Sequence, residues 1–210
     1  MSTVEEKKIP TLVYAEVTPN PNTVKFVANR AIMPFAGSVE FKTAAEAKGY
    51  SQMGLELFNM PVVQSLFFST NFVSVSKVDG VEWDLITMQL REFIQDYLTK
   101  NEWAVEKLPA SGEGVEKQDP SQPAAEIGHV KPQNELEEQI VMALDEYIRP
   151  AVETDGGAID FRSFKEGTLE VTLRGSCSGC PSSVVTLKNG IETLMKNMVP
   201  EVKEVVAYEA

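Results

Sequence analysis

Cysteine and histidine are scarce in this chain: two cysteines, Cys177 and Cys180, and a single histidine, His129, in 210 residues. A disulfide-stapled small fold is thereby excluded, and so is a metal site of four Cys or His ligands built within one chain. Basic residues are also in short supply. Nineteen Lys and Arg against thirty-one Asp and Glu leave a formal charge of −12. Phosphate neutralisation needs a basic surface, so no nucleic acid is expected as partner, and an anionic membrane surface is disfavoured on the same ground. No apolar run is long enough to span a bilayer, so no membrane association is expected. The first residues, Met1-Ser2-Thr3-Val4-Glu5-Glu6-Lys7-Lys8, lack the apolar stretch of a secretion signal. Their two glutamates do not suit a transit peptide either, which makes a cytoplasmic protein the simplest expectation.

What remains is ordinary globular composition, 43% hydrophobic and 24% charged, at a length comfortable for two domains of about 80–100 residues. The boundary is compositional. Residues 109–133 read PASGEGVEKQDPSQPAAEIGHVKPQ, with almost no large apolar side chains. Such a stretch cannot bury enough surface to offset its ordering entropy and reads as a flexible linker. The expected organisation is a disordered N-terminus over 1–8, an α+β domain over 9–104, a linker over 105–133 and a second α+β domain over 134–210.

In the first domain, strand-like runs at Leu12–Val17 and Thr23–Ala28 flank the turn cluster Thr18-Pro19-Asn20-Pro21-Asn22. A short helix is expected near Ser51–Phe58, and a hairpin over Val62–Ser69 and Phe72–Lys77 about Thr70-Asn71. Apolar residues at Leu85, Ile86, Leu90, Phe93, Ile94 and Tyr97 predict a helix over Trp83–Leu98. The sheet is expected to carry its helices on one side, with Phe67, Phe68 and Phe72 building the core. In the second domain Asn134 and Glu137 form a capping-box pattern ahead of a helix that Arg149-Pro150 perturbs or ends. Thr154-Asp155-Gly156-Gly157 reads as a turn, followed by strands near Ala158–Phe164 and Thr168–Arg174. A helix over Pro181–Met198 and a strand over Val202–Tyr208 complete the order α-β-β-α-β, with the CxxC loop ahead of its second helix.

That loop is Arg174-Gly175-Ser176-Cys177-Ser178-Gly179-Cys180-Pro181. Its glycines permit close approach of the backbone to a bound group, and Pro181 fits the first helical position. Free N–H groups of Ser182, Ser183 and Val184 are expected near the Cys180 sulfur, where a helix N-terminus lowers thiol pKa and favours an anion. Two thiolates do not close a metal site, since tetrahedral zinc and the common clusters each take four protein ligands. The economical arrangement is two-fold, each chain giving Cys177 and Cys180 to one shared site. Arg174 and Lys188 are read as solvated surface cations rather than partners of the site. Methionines such as Met53 and Met195 are read as core filling.

Three segments carry a family resemblance: Glu153-Thr154-Asp155-Gly156-Gly157, the loop from Gly175 to Ser183, and Thr186-Leu187-Lys188-Asn189-Gly190-Ile191-Glu192. Over about residues 134–208 they resemble the NifU C-terminal (Nfu) domain. The first half is similar to the Nfu N-terminal domain, on Thr18-Pro19-Asn20-Pro21-Asn22-Thr23-Val24-Lys25-Phe26 and Phe58-Asn59-Met60-Pro61-Val62. The resemblance implies an iron–sulfur scaffold or carrier without turnover. It implies a [4Fe–4S] cluster (with [2Fe–2S] the other candidate) held across a homodimer by Cys177 and Cys180, an upstream cluster donor, and apo iron–sulfur proteins as clients. Two other readings stay open on the residues alone: a CxxC thiol–disulfide oxidoreductase and a zinc-bridged structural dimer.

Overall fold

In a computed structural model the chain is described over residues 10–108, 128–178 and 181–209, with side chains in the last stretch from Leu187 onward. The first half runs β1 (Val13–Val17), β2 (Thr23–Ala28), β3 (Val39–Phe41), α1 (Ala44–Ala47), α2 (Gln52–Phe58), β4 (Val63–Ser69), β5 (Phe72–Lys77) and α3 (Trp83–Lys100). Its five strands form one antiparallel sheet in the order β1-β2-β5-β4-β3. The period of α3 explains its seat: Ile86, Leu90, Ile94 and Leu98 recur every fourth residue and are all buried. They pack with Val24, Phe26, Leu66, Phe68, Val73 and Val75, the inward set of the strands. Ser51 caps α2, accepting from the Gly54 N–H at 2.8 Å, while its hydroxyl donates to the Ala104 carbonyl at 2.6 Å.

The second half runs α4 (Glu135–Ala143), a π-helical turn (Leu144–Ile148), α5 (Arg149–Thr154), β6 (Gly157–Lys165), β7 (Thr168–Gly175), α6 (Pro181–Met198) and β8 (Glu204–Glu209). The expected cap forms: Asn134 Oδ1 accepts from the Glu137 N–H at 2.9 Å, and Glu137 reaches back to the Gln133 N–H at 2.7 Å. Arg149-Pro150 perturbs this helix without ending it. Proline has no N–H to give and crowds the carbonyl four residues back, and the wider π turn just ahead of it absorbs the mismatch. Ile140, Leu144, Ile148 and Val152 then share one buried face against Ile159, Phe161, Val171 and Leu173. β6 and β7 pair antiparallel through the two-residue turn Glu166-Gly167, both with positive φ (53° and 95°), the signature of a type I′ hairpin. β8 joins β7 in parallel after α6 crosses over.

Two segments assigned to the linker by composition are packed. Val105 is fully buried, and the Glu106 N–H donates to the Tyr50 carbonyl at 2.9 Å. At the other end the Val130 N–H donates to the Phe161 carbonyl at 2.9 Å, and His129 Nδ1 accepts from the Phe161 N–H at 2.7 Å. The remainder of the expected linker, 109–127, and the N-terminus 1–8 lie outside the described residues.

The two halves touch. Helices cover one face of the first sheet, and the second half covers the other, where Lys25, Val27, Phe67, Phe72 and Ser74 are each less than a tenth exposed. Of the three phenylalanines expected in the core, only Phe68 joins it. Phe67 and Phe72 point the other way and form a small apolar cluster with Val27 and Ala158. Their ring centroids lie 6.1 Å apart. Burying each such ring stabilises the contact by about 1.5–3 kcal/mol before ordering costs.

Candidate cluster-binding loop

Cys177 sits in the tight connection between β7 and α6, and the Asp-Gly-Gly turn shapes that connection. The last ladder pair of the hairpin is Gly157 with Gly175, and beyond it the Ser176 N–H donates to the Gly156 carbonyl at 3.2 Å. The Ser178 N–H closes back onto the Gly175 carbonyl at 3.0 Å, with the Ser178 hydroxyl on the same oxygen at 2.9 Å. Glycine is required at both paired positions. A Cβ on Gly157 would lie 2.5 Å from the Arg174 carbonyl oxygen and 2.7 Å from Cys177 Sγ. Gly175 has φ +67°, and a Cβ there would meet the Phe67 ring at 2.7 Å. The Asp-Gly-Gly segment is therefore the floor of the cysteine loop and not merely a turn leading into β6.

Replacing Gly157 by alanine is expected to lower unfolding stability by about 2–3 kcal/mol, because the closest obstacle is backbone and cannot rotate away. Urea titration of the full chain checks this. Adding Cys177→Ala should recover only part of the loss, since it removes the sulfur and leaves the carbonyl.

Cys177 is 5% exposed and joins the apolar core of the second half with Ile148, Ile191 and Met195. Burial, with the Asp155 carboxylate adding to it, pushes its pKa up to about 12. The lowering by a helix N-terminus is expected at the Cys180 sulfur; Cys177 lies four positions before Pro181 and turns back toward Gly157. Cys180 and Gly179 lie outside the described residues, as do the side chains of Ser182, Ser183 and Val184. Beside Cys177 opens a cleft of about 660 Å³ walled by Ile148, Ala151, Leu187, Ile191 and Leu194, with Pro19 of the first half at its edge. Among the described residues no three His, Cys, Asp or Glu side chains gather as a metal site.

Arg174 is not the solvated cation expected from the sequence. It is 8% exposed, pairs with Asp160, and donates to the Ser38 carbonyl of the first half at 3.4 Å. Lys188, in α6, is half-buried. Sequence reasoning missed Asn20. Its side chain crosses between the halves and donates to the carbonyl oxygens of Ser176 at 3.1 Å and Ser178 at 3.2 Å, one on each side of Cys177. The signal lay in the Thr18–Asn22 cluster, which a simple turn accounted for equally well.

Comparison with known proteins finds matches over both halves of the chain. A family model described as a NifU-like domain matches residues 140–206, and one described as scaffold protein Nfu/NifU N terminal matches residues 13–101. A NifU-like protein of Schizosaccharomyces pombe is 34% identical over 197 residues, covering 92% of this chain and 71% of its own. The mitochondrial NFU1 iron-sulfur cluster scaffold homolog of Drosophila ananassae is 33% identical over 193 residues, with 92% and 63% covered. The human protein of that name is 31% identical over 194 residues, with 92% and 70% covered. The chain thus spans between 63% and 71% of the length of these relatives.

Proposed function

The chain belongs to the Nfu family of NifU-like iron–sulfur cluster scaffold proteins, and from that premise we propose that it holds a [4Fe–4S] cluster between two copies of itself through Cys177 and Cys180 and delivers it to apo iron–sulfur proteins. The observation that carries this reading is the position of Cys177, on a glycine-floored loop at the wall of an apolar cleft. Among the described residues no set of ligands closes a site around it. A cluster takes four thiolates as a rule, so the sequence's two cysteines supply half a site and a second copy supplies the rest. Apolar walls suit such cargo, because they keep water from the sulfides and let thiolate charge be spread over the metal. A cluster shared at a subunit boundary is released when the subunits part, which suits delivery.

The high pKa of Cys177 counts against the oxidoreductase reading. Thiol–disulfide exchange needs an attacking thiolate, and a thiol titrating near 12 supplies almost none at neutral pH. Iron is different: it displaces the thiol proton on binding and drives the ionisation itself.

The test is anaerobic reconstitution of the full chain with iron and sulfide, read by metal analysis, Mössbauer spectra and light-scattering mass, followed by addition of an apo-acceptor. The expected product is a brown dimer carrying one cubane per two chains that passes it to the acceptor. A colourless monomer that cycles between dithiol and disulfide overturns the reading, and a colourless zinc dimer indifferent to air does the same.

A further inference from the structure

Among the described residues, most hydrogen bonds from the first half to the second go to the backbone of the two segments that build the cysteine loop. Ser74 Oγ donates to the Gly156 carbonyl at 2.7 Å, and Lys25 Nζ to the Thr154 carbonyl at 3.3 Å. The Gly175 N–H donates to Glu40 at 3.5 Å, and Asn20 takes the carbonyls of Ser176 and Ser178. Lys25, Ser74 and Glu40 stand on β2, β5 and β3 and reach across from the sheet face that α1, α2 and α3 leave uncovered. We infer that this face is a detachable cover for the cysteine loop: while docked, it holds Cys177 out of reach of a second chain or a cluster donor, and the chain takes up cargo only after the cover lifts.

Asn20 is the positioning residue of the cover. Its amide nitrogen bonds the carbonyls on either side of Cys177, and its Oδ1 accepts from the Asn22 N–H at 3.0 Å. The side chain is 5% exposed, and each polar atom has a partner. An aspartate of the same shape would turn acceptor oxygens toward two carbonyl oxygens, so the site selects a carboxamide. Pro19, in the same turn, edges the cleft beside Cys177. Docking therefore borders the approach to the thiol with Pro19 and fixes the backbone that carries it.

The composition of the contact makes it separable. Among the described residues, its buried apolar cluster is Val27, Phe67, Phe72 and Ala158. The rest is hydrogen bonds that water can replace on either side, which resembles surfaces between mobile domains and not a continuous core. Each half also has its own larger apolar cluster.

The inference rests on the carrier reading for what is gated, but the cover can be measured without any cluster. In the reduced apo full chain, Asn20→Asp is expected to raise the alkylation rate of Cys177, followed by peptide mass, at least tenfold, and to enlarge the radius of gyration in solution scattering. Ser74→Glu is the second variant. It wedges the same interface from a strand outside the Asn20 turn and leaves the inward face of the sheet untouched, and it should act in the same direction. Circular dichroism and a cooperative thermal transition identify any variant that has simply unfolded. Folded variants that alkylate and scatter like the parent overturn the cover. On reconstitution the opened variants should load cluster several-fold faster than the parent; equal rates overturn the gating. Variants that open while no form of the chain accepts a cluster would leave the cover standing and remove the carrier reading.

Discussion

Chains carrying Cys177→Ala are expected to come through anaerobic treatment with iron and sulfide colourless, with a fold indistinguishable from the parent. The arithmetic of a shared site makes the loss all-or-none. Each copy contributes two thiols to the proposed site, so one substitution per chain removes two of four ligands from the dimer, and a cubane does not persist on the remainder. The fold should tolerate the change, because alanine keeps the backbone of the loop and vacates only the volume of one sulfur, at about 1 kcal/mol. Serine is the poorer probe: it would place a hydroxyl among Ile148, Ile191 and Met195, where an unpaired polar group costs more than the void. Cys180→Ala should abolish the chromophore equally. Visible absorbance and iron content of the two variants, set beside circular dichroism, decide the matter. Cluster retained in either variant takes that cysteine out of the ligand set.

The elements that sequence reading recovers are those whose determinants are local. The four-residue spacing of Ile86, Leu90, Ile94 and Leu98 marks α3, Pro181 opens α6, and Asn134 caps α4. β3 and α1 go unseen because three and four residues carry too little period to stand out. The docking of the halves is invisible for another reason: the partners of Asn20, Ser74 and Arg174 lie more than eighty positions away and are mostly backbone atoms, which leave no mark in composition. One trace does exist. Leu66 and Phe68 alternate with Phe67 on β4, and Val73 alternates with Phe72 on β5, so both faces of the hairpin are apolar. A sheet with one solvated face does not read that way. The cysteine pair was legible as chemistry, while its environment was not. A CxxC at a strand–helix junction suggests partly exposed thiols, yet Cys177 packs into the core of the second half, and that burial raises its pKa.

The burial of Cys177 has a measurable consequence in alkali. The Cys177 thiol titrates near 9 when free and near 12 in the folded chain. The folded state therefore holds this proton more tightly than the unfolded state. The stability so contributed is fully present below pH 9 and is lost as the pH rises toward 12, at about 1.4 kcal/mol per pH unit, roughly 4 kcal/mol in all. Lysines and tyrosines titrate over the same range, so the quantity to measure is a difference. Urea unfolding of the reduced parent and of Cys177→Ala, each followed from pH 8 to 11, should give curves a constant distance apart below pH 9, with the parent falling faster above it. By pH 11 the parent should have lost about 2–3 kcal/mol more than the variant. Curves parallel over the whole range would mean that the thiol is already solvated in the folded apo chain. Divergence on this scale would place the same free energy in the path of cluster uptake. At neutral pH an incoming iron must expel a proton that the protein holds about a thousandfold more tightly than solvent-exposed cysteine does, and any step that exposes Cys177 before the metal arrives lowers that barrier.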